Sequence, residues 1–179
     1  EYLHRLLGRI IGLAVLLPPI YFALRHRLPT ALRVRCLWIA LLVAAQGTVG
    51  WLMVLSGLQN EPRVAPLKLA AHLLLGFGVF CLLLWTRWQV LGRPRTTISK
   101  TLAWMARATF LLLIVQIFFG ALVAGLRAGL SYNTYPWMDG ALIPSGLHLQ
   151  APWWINHLEN VLTVQFQHRM GALSVVGAS

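Results

Sequence analysis

Acidic residues are nearly missing from this chain of 179 residues, where four Asp and Glu stand against fifteen Lys and Arg. No Asp-rich pair occurs on a helix, which excludes prenyl transfer through magnesium, and no Walker-type glycine loop is present to cradle a nucleotide. No CxxCH motif is present, which excludes a covalently attached c-type haem. Cysteine is equally scarce, with only Cys36 and Cys81. Charged residues make up only 11% of the chain, while 58% is hydrophobic and the mean hydropathy is +0.69. A soluble domain of ordinary composition does not reach these values.

Long apolar runs occupy residues 10–24, 36–58, 65–85, 108–126 and 161–178, and a hydrocarbon core needs roughly 20 residues of helix. The expected fold is an all-α integral membrane protein, an antiparallel transmembrane helical bundle with about five segments present. A net charge of +11 invites a nucleic-acid partner, but its placement argues for a lipid bilayer instead. Nine Lys and Arg fall in the connections after segments one and three (Arg25, Arg27, Arg33, Arg35; Arg87, Arg93, Arg95, Lys100, Arg107), and three (Arg63, Lys68, Arg127) in the alternate ones, with Glu61, Asp139 and Glu159. The positive-inside rule puts the two basic loops on the cytoplasmic or matrix side. Both cysteines then lie towards the inner side, which argues against an outer disulfide. The chain opens on Glu1 without a Met and stops within an apolar run, so it is expected to be a piece of a longer protein.

His4, His72 and His168 each stand near the start of an apolar run and are followed four residues later by Gly8, Gly76 or Ala172. Positions i and i+4 share a helix face, so each imidazole is expected to border a flat space. That suits a haem, whose iron takes imidazole as an axial ligand. The segments also repeat. Residues 1–6 align with 165–170 in aromatic, His and Arg, and Gln46-xxx-Gly50 aligns with Gln116-xxx-Gly120; His4 to Gln46 is 42 residues and His72 to Gln116 is 44. The repeating unit is one His-bearing helix, a basic inner loop and one Gln/Gly-bearing helix, with a large outer insertion at about 127–157; the division expected is 1–98, three helices of an N-terminal half, and 99–179, an incomplete C-terminal half. Gly47, Gly50, Ser56 and Gly57 in one helix, and Gly120, Ala121, Ala124 and Gly125 in another, are expected to let membrane helices approach closely. Gln46 and Gln116 need hydrogen-bond partners in hydrocarbon and are expected to line the interior as contacts of a cofactor. His26, His148 and His157 read as ordinary surface residues.

Arg5, Arg9 and Arg169 either snorkel to the interface or hold haem propionates through charge-assisted hydrogen bonds; Lys68, one turn before His72, is a further candidate. Glu1, one turn before His4, is either a charge favoured at a helix N-terminus or a proton acceptor beside a reacting macrocycle. The insertion, with Tyr132, Tyr135, Trp137, Trp153 and Trp154 among three prolines, is too aromatic for disorder and is expected to be a packed outer lid, the alternative being an aromatic belt at the membrane interface without contact to haem.

The stretches EYLHRLLGR (1–9), QGTVGWLMVLSG (46–57), LAAH (69–72), GALVAGLRAG (120–129), YNTYPWM (132–138) and VQFQHR (164–169) together resemble the haem A synthase family, in its mitochondrial and proteobacterial form, because an outer-loop cysteine pair is missing. The resemblance implies eight helices in duplicated four-helix halves, of which this chain would hold the second to the fifth and part of the sixth. It implies that His4 and His72 form the substrate site for haem O with Glu1 as the essential acid, and that His168 ligates the iron of a cofactor haem b. It further implies two successive oxidations of a ring methyl to a formyl, with water as oxygen source, in the bacterial plasma (inner) membrane or the mitochondrial inner membrane. The partners it suggests are haem O synthase, oxidase assembly factors and a second copy of the chain. The rival reading is a bis-histidine haem b electron carrier without catalysis, which leaves Glu1 and the outer insertion unexplained.

Overall fold

The structure is a computed structural model that describes residues 2–57, 65–92 and 96–178. Glu1, Glu61, Arg63, Arg93 and Arg95 lie outside the described residues, as do the side chains of residues 56 and 57. Six α-helices follow in order: α1 (Tyr2–Leu24), α2 (Thr30–Gly57), α3 (Pro66–Val90), α4 (Lys100–Gly125), the short α5 (Asn156–Glu159) and α6 (Val161–Ala178). Single 3₁₀ turns lie at Ala128–Leu130 and Trp153–Ile155. No strand occurs among the described residues, so the fold is all-α, as expected from the sequence.

Four helices, Tyr2–Leu24, Thr30–Leu55, Pro66–Val90 and Lys100–Gly125, are long and apolar enough to cross a membrane. The expected fifth segment does form α6, but with Gln165, Gln167, His168 and Arg169 it is more polar than the other four and does not join them. Three of the long helices, α1, α2 and α4, also start earlier than their apolar runs, because the polar ends that carry His4, Arg33 and Arg107 are helical too.

Local chemistry sets the ends. Pro66 opens α3, where its missing N–H costs nothing. Ser99 caps α4 by accepting from Leu102 N at 3.2 Å. Asn160 caps α6, its Oδ1 accepting from the backbone N–H of Leu162 and Thr163 at 3.0 and 3.3 Å. Pro18 and Pro19 lie inside α1 and remove two backbone donors, a loss membrane helices tolerate when the freed carbonyls are satisfied otherwise. The hydroxyls of Thr48 and Thr86 donate back to the carbonyls of Ala44 and Leu82 one turn earlier, which satisfies them within their own helix.

The chain divides into two compact units, one of residues 1–51 with 75–94, the other of 52–74 with 95–179. In the first, α1 buries no residue, and Leu13, Leu17, Trp38 and Trp51 are all more than half exposed. A helix apolar all round and uncovered by protein has a lipid-facing surface. In the second, Ala70, Ala121, Leu122 and Val164 form a buried cluster against which Leu69, Phe118, Phe119 and Val123 pack. The small residues of α4 act as expected: a Cβ on Gly125 would lie 2.8 Å from the Cα of Pro66, so only glycine lets α3 come so near α4. Gly47 of α2 has nothing within 4 Å of that position, and there the expected close approach is not made.

Candidate ligand site on the sixth helix

His168 and Gln116 belong to the second unit, and each occupies a notch left by a glycine of the other's helix. A Cβ on Gly120 would lie 3.0 Å from Cε1 of His168 and 3.6 Å from its Nδ1, so the imidazole rests on the bare backbone of α4. One turn earlier on α4, the Nε2 of Gln116 donates to the backbone carbonyl of His168 at 3.0 Å. A Cβ on Gly171, three residues after His168, would strike the Oε1 of Gln116. Nδ1 of His168 is buried against α4, beside the backbone of Gln116. A ring held through one nitrogen in this way has its other nitrogen as the candidate ligand.

The repeat-related glutamine makes a similar contact in the first unit. A Cβ on Gly76 of α3 would lie 3.1 Å from Nε2 of Gln46. This changes the reading of the small residues at i+4. Gly76 faces the amide of Gln46, Gly8 has nothing within 4 Å, and the seat of His168 is supplied by Gly120 on another helix. Periodicity gives the face of a side chain but not what meets it.

Arg169, next to His168, is engaged by the loop that follows Arg127. Its NH1 donates to the carbonyls of Thr134 and Trp137 at 2.7 and 3.2 Å, and its NH2 to Tyr132 at 2.6 Å. The guanidinium also lies 6.0 Å from the ring centre of Tyr135, within cation–π range. Three of its five N–H donors are thus used, and two are left for another acceptor. Gln165, 5% exposed, adds a bond from Nε2 to the Tyr132 carbonyl at 3.0 Å.

The loop after Arg127 is ordered by polar groups. Met138 and Ala141 pair across a two-residue turn whose Asp139 and Gly140 both have positive φ, the Asp-Gly pair that tight hairpins favour. Asn156, fully buried, accepts from Gln150 N at 3.0 Å and donates to the carbonyls of Gln150 and Trp153, both at 2.8 Å. Asn160 donates to Gly146 O, and Thr163 to Leu147 O. The expectation of a packed loop matches this network. His157 differs from the surface reading: it is half-buried, its Nδ1 meets Nε2 of Gln167, and its ring packs edge-on to Trp153 and His148 at 5.5 and 5.9 Å. The Asn156–Asn160 pair, one helical turn apart just before an apolar segment, was the sequence signal for this network.

The remaining candidates are spread over both units. His4, Arg5 and Arg9 lie on exposed positions of α1 in the first unit. His72 belongs to the second; it is the seventh residue of α3, half-buried, with Nδ1 buried. Glu1 lies outside the described residues. No three His, Cys, Asp or Glu converge to hold a metal ion among the described residues, whereas a haem iron asks the protein for only one or two axial ligands. An open apolar groove lined by Val123, Ala124, Arg127, Gly129 and Leu130 carries no ligating side chain, so we place the chemistry at the histidines.

Over residues 1–179 the chain matches the family described as cytochrome oxidase assembly protein. It is similar to the heme A synthase of Beijerinckia indica, 47% identical over 99% of this chain and 51% of the relative, and to that of Rhodopseudomonas palustris strain BisA53, 51% identical over 98% and 49%. The heme A synthase of Parvibaculum lavamentivorans is 46% identical over 96% of this chain and 50% of its own. The chain therefore spans about half the length of the curated relatives it matches. No solved structure matches it.

Proposed function

We propose that this chain, which belongs to the cytochrome oxidase assembly protein family, is part of a membrane enzyme that converts haem O to haem A. The similarity to heme A synthases along its whole length supports the reaction. One structural observation supports the ligand role: the imidazole of His168 is seated on the bare backbone of Gly120 with Nδ1 buried against α4, which orients the ring for its other nitrogen to bind. We assign His168 to the iron of a cofactor haem b, and His4 and His72 to the substrate haem O.

In the reaction so proposed, a ring methyl of the substrate takes oxygen from water twice. Methyl and water give the alcohol, two protons and two electrons; the alcohol and a second water give the hydrated aldehyde, two protons and two electrons; loss of water then leaves the formyl group. The bound cofactor haem supplies the outlet for the electrons. The chain's own residues bind and move protons. Glu1 takes a proton from the attacking water, and Arg5 and Arg9 meet the propionates of the substrate. Arg169 offers a propionate only the two donors that the outer loop leaves.

The enzyme resides in a bacterial plasma membrane or a mitochondrial inner membrane, with its basic loops inside. An impermeant thiol reagent on intact cells should label Ser145→Cys in the outer loop; labelling only after the membrane is opened would reverse that topology. Haem O synthase, an oxidase assembly factor and a second copy of the chain are its proposed contacts. A pyridine-haem assay of the purified full-length protein, with chromatography of the pigments, tests the function. Haem b together with haem O or its oxidised products is expected. Haem b alone would turn the reading to an electron carrier, and no haem would overturn it.

A further inference from the structure

We infer that Gln116 is a positioning residue for His168; the inference rests on the ligand role given to His168 above. The Gln116 side chain of α4 lies against Gly171, three residues after His168 on α6. Gln46, 70 residues earlier and at the same place in the repeat, lies against Gly76 within the first unit. Generic packing would be served by an apolar side chain. An amide in hydrocarbon is costly unless it is bonded, and Gln116 places its N–H on the main-chain carbonyl of His168 itself, at 3.0 Å.

The geometry has two points of contact and so fixes a depth. The Gln116 amide lies in the Gly171 notch and the His168 ring over Gly120, so α6 meets α4 at two points about one turn apart. Together they set the height and rotation of the imidazole. A group behind a metal ligand ordinarily orients its ring through the second ring nitrogen; here the control is exerted through the ligand's backbone and the spacing of its helix. The contact expected of Gln116 with a cofactor is thereby replaced by a contact with the residue that would hold it.

The test uses the full-length haem-loaded protein and the variants Gln116→Met, Gln116→Ala, Gly171→Ala and Gln116→Ala/Gly171→Ala. Gln116→Met keeps length and apolar packing but has no amide, so it guards against simple loss of folding. The readouts are the midpoint potential and low-spin electron-resonance signal of haem b, and its affinity. We expect Gln116→Met to shift potential and signal and to weaken haem b binding about tenfold, the lower end for a group behind a metal ligand. We expect Gly171→Ala to shift them in the wild-type background and to add nothing once Gln116 is Ala, since its effect runs through the displaced amide. An unchanged signal in Gln116→Met, or additive effects in the double variant, would overturn the inference while leaving the proposed function intact. A haem-free wild-type protein would overturn both.

Discussion

The same dipeptide occurs on two helices of this molecule, in the first turn of α1 and near the middle of α6, and its surroundings differ sharply. His4-Arg5 stands on α1, a helix with no buried residue, and both side chains are exposed. His168-Arg169 stands on α6, where Thr163, Val164 and Gln165 are buried just before it, the imidazole rests on Gly120 and the guanidinium holds three carbonyls of the outer loop. Sequence identity over two residues therefore says little about their environment. The second copy has a capped start at Asn160, a glycine seat on a neighbouring helix and a loop tied down beside it; the first has an apolar surface of the kind that lipid covers.

The largest effect that sharpens this contrast is expected at Asn156. Replacing it by Ala removes four hydrogen bonds, one of them from Asn160, and leaves the N–H and carbonyl of Gln150 and the carbonyl of Trp153 to be satisfied by water, at a cost of about 3 kcal/mol. Thermal unfolding of the full-length protein in detergent would measure it, and a loss below about 1 kcal/mol would show that the loop does not depend on this buried amide. Gly125→Ala comes next, at about 2 kcal/mol, because its Cβ would meet the backbone of Pro66 and not a flexible side-chain end. Arg169→Lys should follow at about 1 kcal/mol: an ammonium cannot reach carbonyls as widely placed as those of Tyr132, Thr134 and Trp137. Its clearest readout is faster proteolysis between residues 132 and 138, with cleavage as slow as in the parent counting against the anchoring role. The smallest effect belongs to Gly47→Ala, within about 1 kcal/mol of neutral and on the stabilising side, since nothing lies within 4 Å of the new methyl.

Much of this was legible in the residues. Apolar runs of helical length located the membrane helices, and the scarcity of charge inside them left little doubt about the solvent. The repeat in His, Arg and Gln pointed to His168 and to both glutamines. What the sequence could not give was the partner of each side chain. Gly76 belongs to the face of His72, yet it is the Gln46 amide that lies against it; Gly171, three residues after His168, matters because of Gln116. Such contacts depend on how helices far apart in the chain are brought together, which periodicity does not encode. The polar network of the outer loop escaped for a related reason: Asn156, Asn160 and Thr163 look like ordinary loop and helix-start residues until the carbonyls of residues 146, 147, 150 and 153 are seen around them.

The proposal that the packed copy on α6 holds the cofactor and the exposed copy on α1 serves the substrate stands or falls on the haem content of His168→Ala in the full-length protein, set beside His4→Ala. Loss of haem b in the first and its retention in the second is the expected result, because an axial ligand sets occupancy at its own site alone. Haem b at the parental level in His168→Ala would contradict the claim.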